Sequence, residues 1–371
     1  MKLLMITSIF PTKEHPDYGT FVESIYKIYL DLGYEVELVA FMREGSKRQK
    51  WANLMHFFRS ILKARKKAAQ GAYDAVNVHY PYTGALPLWL FPMPQTVPLI
   101  THVHGTDVFY NSLSKKLMAP ATAALLKRSD RIFAPSDFFK KKVAEKFRLP
   151  LDRIVSCPPG GFDPEIFHPK GNRLPALSPA RHWIGFAGRL VEGKGWRVLL
   201  EAYAFALSDA SLANTSLALV GSGPDEKAVV QTIRRLGLED RVVFLGVMRH
   251  EEMGDYFRSL DLFCFPTLLE ESLGMVGMEA LASGTPVVGS AIGGVKEYMK
   301  DGINGYAVAP GGVAELQAAL QRFYHLSPEK RRDMEQKAHQ SVAAYEASAV
   351  AQTLAQTFEK GGAPNAKLPL N

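Results

Sequence analysis

Short apolar runs recur along the chain, and most are followed by a stretch whose apolar positions return every three to four residues. In the first half the runs Lys2–Thr7, Glu35–Phe41, Ala75–His79, Pro98–Val103, Arg131–Ala134 and Arg153–Cys157 read as strands. In the second half they are His182–Ala187, Ser216–Val220, Val242–Leu245, Leu262–Phe265 and Pro286–Ser290. Strands alternating with helical patterns predict an α/β protein with parallel, doubly wound sheets. The pattern restarts after His168–Ala180, which holds Pro169, Gly171, Pro175 and Pro179. This stretch is the expected linker, dividing the chain into a domain over 1–170 and a second over 171–343. Two more helical stretches follow, about 328–343 and about 344–360. The tail Gly361–Asn371 is polar with Pro and Gly, and predicts a loose end.

With 371 residues, 47% of them hydrophobic, the chain can bury two cores. It has no apolar run long enough for a membrane-spanning helix, and Met1–Thr7 reads as a first strand, not a leader. Cys157 and Cys264 lie in apolar runs and predict buried thiols in a reducing compartment. The basic excess lies wholly before residue 171, where 24 Lys and Arg face 15 Asp and Glu. That asymmetry suggests an anionic membrane or an anionic substrate. No nucleic-acid-binding motif accompanies it, so nucleic acid is not an expected partner.

Thr267–Gly305 carries the densest chemistry. Glu271 and Glu279 stand eight positions apart with Gly274 and Gly277 between them. Residues 275 to 284 are helical in pattern, so Glu271 falls in the loop after a strand and Glu279 one turn into the next helix. A helix N-terminus preceded by glycine offers backbone N–H groups to a phosphate. A carboxylate at each edge can accept hydrogen bonds from sugar hydroxyls. The constellation suggests a ligand with a pyrophosphate in the middle and polyols at both ends.

This segment resembles the E-x7-E signature of retaining glycosyltransferases of family 4. The surrounding T-P-V-V, G-G-x-x-E and D-G-x-x-G elements extend the likeness. The resemblance implies the GT-B fold: two Rossmann-like domains facing a central cleft, the donor held by the second, the acceptor by the first, and the helix about 344–360 crossing back onto the first. It also implies site residues. Gly188-Arg189-Leu190 with Lys194-Gly195 resembles the family's G-R-L-x-x-x-K-G element, and Arg189 and Lys194 would stabilise the departing diphosphate. The N–H groups over Leu273, Gly274, Met275 and Val276 would hold the same group. Glu279 would take the ribose hydroxyls and Glu271 the donor-sugar hydroxyls. Gly221, in a G-S-G turn with Pro224 at a first helical position, would flank the nucleotide. The main chain near Gly246 and Val247 would read the base.

In the first half His102-Val103-His104-Gly105-Thr106-Asp107 resembles the family's H-G-x-D element. It implies His104 at the donor sugar, with His102 in the core and Asp107 capping a turn or holding the acceptor. Gly19, in Tyr18-Gly19-Thr20-Phe21, stands where the family usually has a Gly-Gly pair. The single glycine and G-x-F pattern resemble a branch that includes teichuronic-acid-type and other cell-surface polysaccharide glycosyltransferases. Pro158–Asp163 with Phe167 and Pro169 resembles the P-x-G-x-D…F-x-P element that ends the first domain.

Residues 43–67 hold nine Lys and Arg against Glu44 alone. Trp51, Leu54, Met55, Phe58, Ile61 and Leu62 recur among them at helical spacing. The stretch is either a helix on the sheet with solvated charges, or one lying on an anionic membrane beside a lipid-linked acceptor. The expected activity is retaining transfer of a sugar from a nucleoside diphosphate sugar to an acceptor hydroxyl. UDP, GDP and ADP all remain open as carriers. No D-x-D occurs in the chain, so no metal or other cofactor is expected. The expected compartment is the cytoplasm, with or without attachment to the inner face of the membrane. The alternatives are a sugar-nucleotide epimerase of the same fold, a dinucleotide-dependent oxidoreductase, disfavoured because no G-x-G-x-x-G follows the first strand, and a non-catalytic binding protein.

Overall fold

Each apolar run becomes a strand of one of two parallel sheets. A computed structural model of the protein describes residues 1–12, 18–41, 47–109 and 116–360. Arg43 and Glu44 of the basic stretch, and the tail Gly361–Asn371, lie outside the described residues.

The first unit comprises Met1–Gly161 and the segment from Ala347 onward. Its elements are β1 (Lys2–Thr7), α1 (Thr20–Asp31), β2 (Glu35–Ala40), α2 (Lys47–Ala69), β3 (Ala75–His79) and α3 (Pro81–Leu90). There follow β4 (Leu99–His102), α4 (Ala119–Arg128), β5 (Arg131–Ala134), α5 (Asp137–Phe147) and β6 (Ile154–Ser156). The strand order is β2-β1-β3-β4-β5-β6, all parallel, with Leu3 opposite Ala75 and Val76 opposite Leu99.

The second unit, Phe162–Glu346, contains β7 (His182–Ala187), α6 (Trp196–Ala206), β8 (Thr215–Val220), α7 (Glu226–Arg235), β9 (Val242–Gly246) and α8 (Met253–Arg258). It continues with β10 (Leu262–Phe265), α9 (Met275–Ala282), β11 (Val287–Ser290), α10 (Val295–Tyr298), β12 (Gly305–Val308), α11 (Val313–Tyr324) and α12 (Pro328–Gln340). Its order is β12-β11-β10-β7-β8-β9, again parallel. The last helix, α13 (Ala347–Lys360), belongs to the first unit. Its Val350 and Leu354 are buried with Ile25, Tyr29 and Cys157, and Phe358 packs edge-on against Tyr29. Both cysteines are free and buried, one in each unit, and burial pushes both thiols up, Cys157 to about 12.

Four details differ from the sequence reading. The second unit begins at Phe162, not 171, because Phe162, Phe167 and Leu177 are core residues of that unit. The expected linker is stapled to the same unit: the Arg258 guanidinium donates to the carbonyls of Ile166, His168 and Asn172, and Leu174 N–H to Ser259 Oγ. An unforeseen edge strand, β12, follows the D-G-x-x-G element, with Asn304 buried and bonded to Tyr298 O and Ser341 Oγ. The apolar face foreseen for α2 splits in two. Phe57, Ile61, Ala64 and Ala68 face the sheet, whereas Trp51, Met55 and Leu62 are exposed.

Candidate functional site

In an open parallel sheet, ligands settle outside the carboxyl ends of the strands, where successive crossovers leave in opposite directions. In the second unit that point lies between β7 and β10. Arg189 and Lys194 follow β7, and Glu271 and Gly274 follow β10. The foreseen donor residues are therefore brought together by topology, although 77 positions separate Lys194 from Glu271.

The loop after β7 closes into a single tight turn, Glu192–Lys194, and Gly195 opens α6 at φ 76°. A side chain at Gly195 would put its Cβ 1.8 Å from Pro266 O, so the β7 and β10 loops meet here only because glycine has no Cβ. Leu268 N–H donates to Gly193 O, joining the loops further. Lys194 Nζ then lies 2.6 Å from Glu271 Oε1, which also accepts from Thr267 Oγ1 at 2.9 Å. Both side chains of the pair are largely buried, 23% and 16% exposed. Arg189 is exposed and makes no side-chain hydrogen bond or ion pair among the described residues, so it is not tied to Glu192.

Gly274 caps α9 in the left-handed region, φ 84°, and no side chain caps that end. The first N–H groups of a helix have no partner within it, and the helix dipole makes this end positive. Tyr298 Oη donates to Gly274 O and lies where a Cβ at Gly277 would come within 2.6 Å. The Gly293-Gly294 turn of the G-G-x-x-E element approaches backbone: Gly294 N–H donates to Glu271 O, and a Cβ at Gly293 would sit 2.5 Å from that oxygen. This turn thus sets the loop that carries Glu271.

Glu279, the fifth residue of α9, is mostly buried. Its carboxyl makes no hydrogen bond or ion pair among the described residues, and burial pushes it up to about 7. A carboxylate placed this way gains from any hydroxyl that donates to it.

Gly188 and Gly221 mark a close crossing: a Cβ on Gly221 would lie 1.9 Å from Gly188 O. Pro224 precedes α7 instead of opening it, because Asp225 is the helix cap and receives the Trp196 indole N–H. Val247, just past β9, is 68% exposed. Leu273 is buried, and Met275 and Val276 are partly so.

The first unit builds its own constellation at the carboxyl ends of β1, β3 and β4. Gly19 caps α1 at φ 85° and packs on the Ile9–Phe10 backbone. His104 follows β4, and its ring meets Phe21 with centroids 4.6 Å apart. His79 and His102 stack 4.1 Å apart, with His79 5.8 Å from His104. His102 is core, within reach of Tyr29 Oη and Asn77 Nδ2. Burial holds His104 down at about 3, so its imidazole is neutral. Asp107 accepts from the N–H groups of His104 and Gly105, fixing the turn that presents His104.

Sequence reasoning missed Thr267, Tyr298 and His79. Thr267 sits one helical turn before Glu271, a faint signal. Tyr298 and His79 reach the site residues only through the fold.

Residues 19–163 match the family model described as Glycosyltransferase Family 4, and residues 176–341 the model described as Glycosyl transferases group 1. Each of the two units thus matches one glycosyltransferase model. Curated relatives include the D-inositol 3-phosphate glycosyltransferase of Nocardia farcinica, 29% identical over 72% of this chain and 62% of the relative. The one from Paenarthrobacter aurescens is 26% identical over 85% of this chain and 76% of its own length. The chain thus spans about three fifths of the first of these relatives. Among solved structures, sucrose-phosphate synthase from Thermosynechococcus elongatus aligns with a TM-score of 0.77 at 19% identity, over 97% of this chain and 99% of that one. Anabaena HepE, in complex with UDP and glucose, aligns with a TM-score of 0.72 at 20% identity, over 97% and 100%. These likenesses show the GT-B fold.

Proposed function

We propose that this glycosyltransferase moves a sugar, with retention of configuration, from a nucleoside diphosphate sugar to an acceptor hydroxyl. The observation that carries the donor assignment is Glu279: a mostly buried carboxylate, without a hydrogen-bond or ion-pair partner among the described residues, one turn into a helix whose N-terminus is glycine-capped and bears no side-chain cap. A ribose on Glu279, a diphosphate on the N–H groups of Gly274 to Val276, and a sugar on Glu271 would satisfy each group in sequence. Arg189 would meet the diphosphate directly. Lys194 would share its charge between Glu271 and the leaving phosphate. In the reaction the bond from the anomeric carbon to the phosphate oxygen breaks. The acceptor oxygen bonds to that carbon on the same face, and its proton passes to the leaving phosphate. His104, kept neutral, would hydrogen-bond a sugar hydroxyl.

UDP is the favoured carrier, since HepE was solved with UDP and glucose. Positive side chains and the helix dipole take the place of a metal bridge. The acceptor is read as a cell-surface polysaccharide or glycolipid precursor, on the G-x-F pattern at Gly19 and the basic α2. We read the enzyme as cytoplasmic, with α2 resting on anionic lipid. A phosphorylated polyol acceptor is the second reading, favoured by the names of the relatives and by the basic excess of the first unit. Thermal-shift titration with UDP, GDP and ADP, each with and without EDTA, tests the donor site. A ligand at about 100 times its dissociation constant adds about 2.7 kcal/mol. UDP should stabilise equally with and without EDTA. No shift with any nucleotide, or one abolished by EDTA, would overturn the reading.

A further inference from the structure

The lipid contact proposed for α2 rests on its basic residues and the apolar spacing among them, and the structure adds a second apolar element beside it. At roughly 100° per residue, the buried stripe Phe57, Ile61, Ala64 and Ala68 marks the side of α2 that faces the sheet. Trp51, Met55 and Leu62 lie on one flank of that stripe and are 69%, 50% and 41% exposed. Arg65 lies on the same flank, and its Nε donates to Pro92 O. This bond brings the end of α3 against that flank. There Trp89, Leu90 and Phe91 are 52%, 54% and 42% exposed, although Leu88 and Met93 beside them are buried. Two separate elements thus turn large apolar side chains outward along one edge. Arg59 and Lys66 line the outermost face of α2 next to it, and the whole helix Lys47–Ala69 contains no acidic residue.

We propose that this edge, with the Trp89–Phe91 corner as its tip, inserts into the interfacial layer of an anionic bilayer while the adjoining basic face binds the headgroups. The chemistry selects the occupant. Indole and phenyl rings favour the boundary between headgroups and acyl chains, and the charges beside them favour anionic lipid over a neutral surface. The inference rests on the membrane reading of α2 and goes beyond it, because it makes the Trp89–Phe91 corner of a second element the inserting tip.

Tryptophan emission of the full chain on vesicles tests it. Trp183 and Trp196 are buried, 4% and 1% exposed, so quenching by brominated acyl chains reports Trp51 and Trp89, and Trp51→Phe isolates Trp89. We expect quenching on phosphatidylglycerol-containing vesicles and none on phosphatidylcholine alone. The double variant Leu90→Ser, Phe91→Ser keeps every charge. It should lower vesicle partition about tenfold at roughly 0.5 M salt, where charge attraction is screened, with nucleotide affinity and melting temperature unchanged. Sedimentation with anionic vesicles at low salt, without quenching and with full release by salt, would overturn the insertion and leave the charge-only reading standing. No sedimentation under any condition would remove both.

Discussion

Lys194 Nζ and Glu271 Oε1 are 2.6 Å apart. The two residues proposed for opposite tasks, one on the diphosphate and one on the sugar, are partners in the free protein. Breaking one member of a largely buried pair leaves an uncompensated charge. Lys194→Ala and Glu271→Ala should therefore be non-additive, with a coupling of roughly 0.5–3 kcal/mol in a double-mutant cycle of transfer rate. Arg189→Ala, outside the pair, should cost roughly 1.5–3 kcal/mol in rate and add independently to either. Full additivity of Lys194→Ala with Glu271→Ala would separate their roles.

Glu279 links nucleotide binding to pH. Ribose hydroxyls donate to the charged carboxylate, and burial holds that group near 7, so affinity should rise as the pH passes from 6 to 8, roughly tenfold. The linkage to stability has the opposite sense. The folded value of about 7 lies above the unfolded value of about 4.3, so the folded state holds the proton between the two and stability falls as the pH rises from about 4.3 to about 7. Glu279→Gln should raise unfolding stability at pH 8 by roughly 1–3 kcal/mol and abolish the pH dependence of binding. Calorimetric titration at three pH values, with melting curves alongside, measures both.

His104 should not behave as a titrating acid. Burial holds its imidazole at about 3, so it is neutral across the working range. The transfer rate should show no inflection near 6.5 traceable to it, and His104→Ala should lower the rate roughly tenfold, the loss of one hydrogen bond. Because the folded value is depressed, the stability it contributes is complete above about 6.5 and is lost as the pH falls toward 3. His79 and His102 are lowered by burial too, and should steepen the acid unfolding of the first unit. An inflection near pH 6.5 that disappears in His104→Ala would show a protonated imidazole at work.

The periodicity of apolar positions determined the strands, the crossover helices and the division into two α/β units, because burial on both faces of a parallel sheet leaves a local mark on every strand. The short-range chemistry was equally legible. Glu271, Gly274 and Glu279 lie within one loop and one helix, and their spacing alone sets which is in the loop and which on the helix. What the sequence left open were meetings across distance. The Lys194–Glu271 pair, the Gly293 turn under Glu271, Tyr298 on Gly274 and the stacking of His79 on His104 all join residues from different strand ends. Only strand order decides such meetings, and strand order follows from long-range packing that no local pattern records. The boundary at Phe162 has the same origin: proline and glycine suggested a linker, but burial of Phe162 and Phe167 and the reach of Arg258 assign it to the second unit. The two faces of α2 were likewise settled by the sheet. Apolar periodicity alone could not tell which large side chains pack inward, and the tertiary structure turned Ile61 in and Trp51 out.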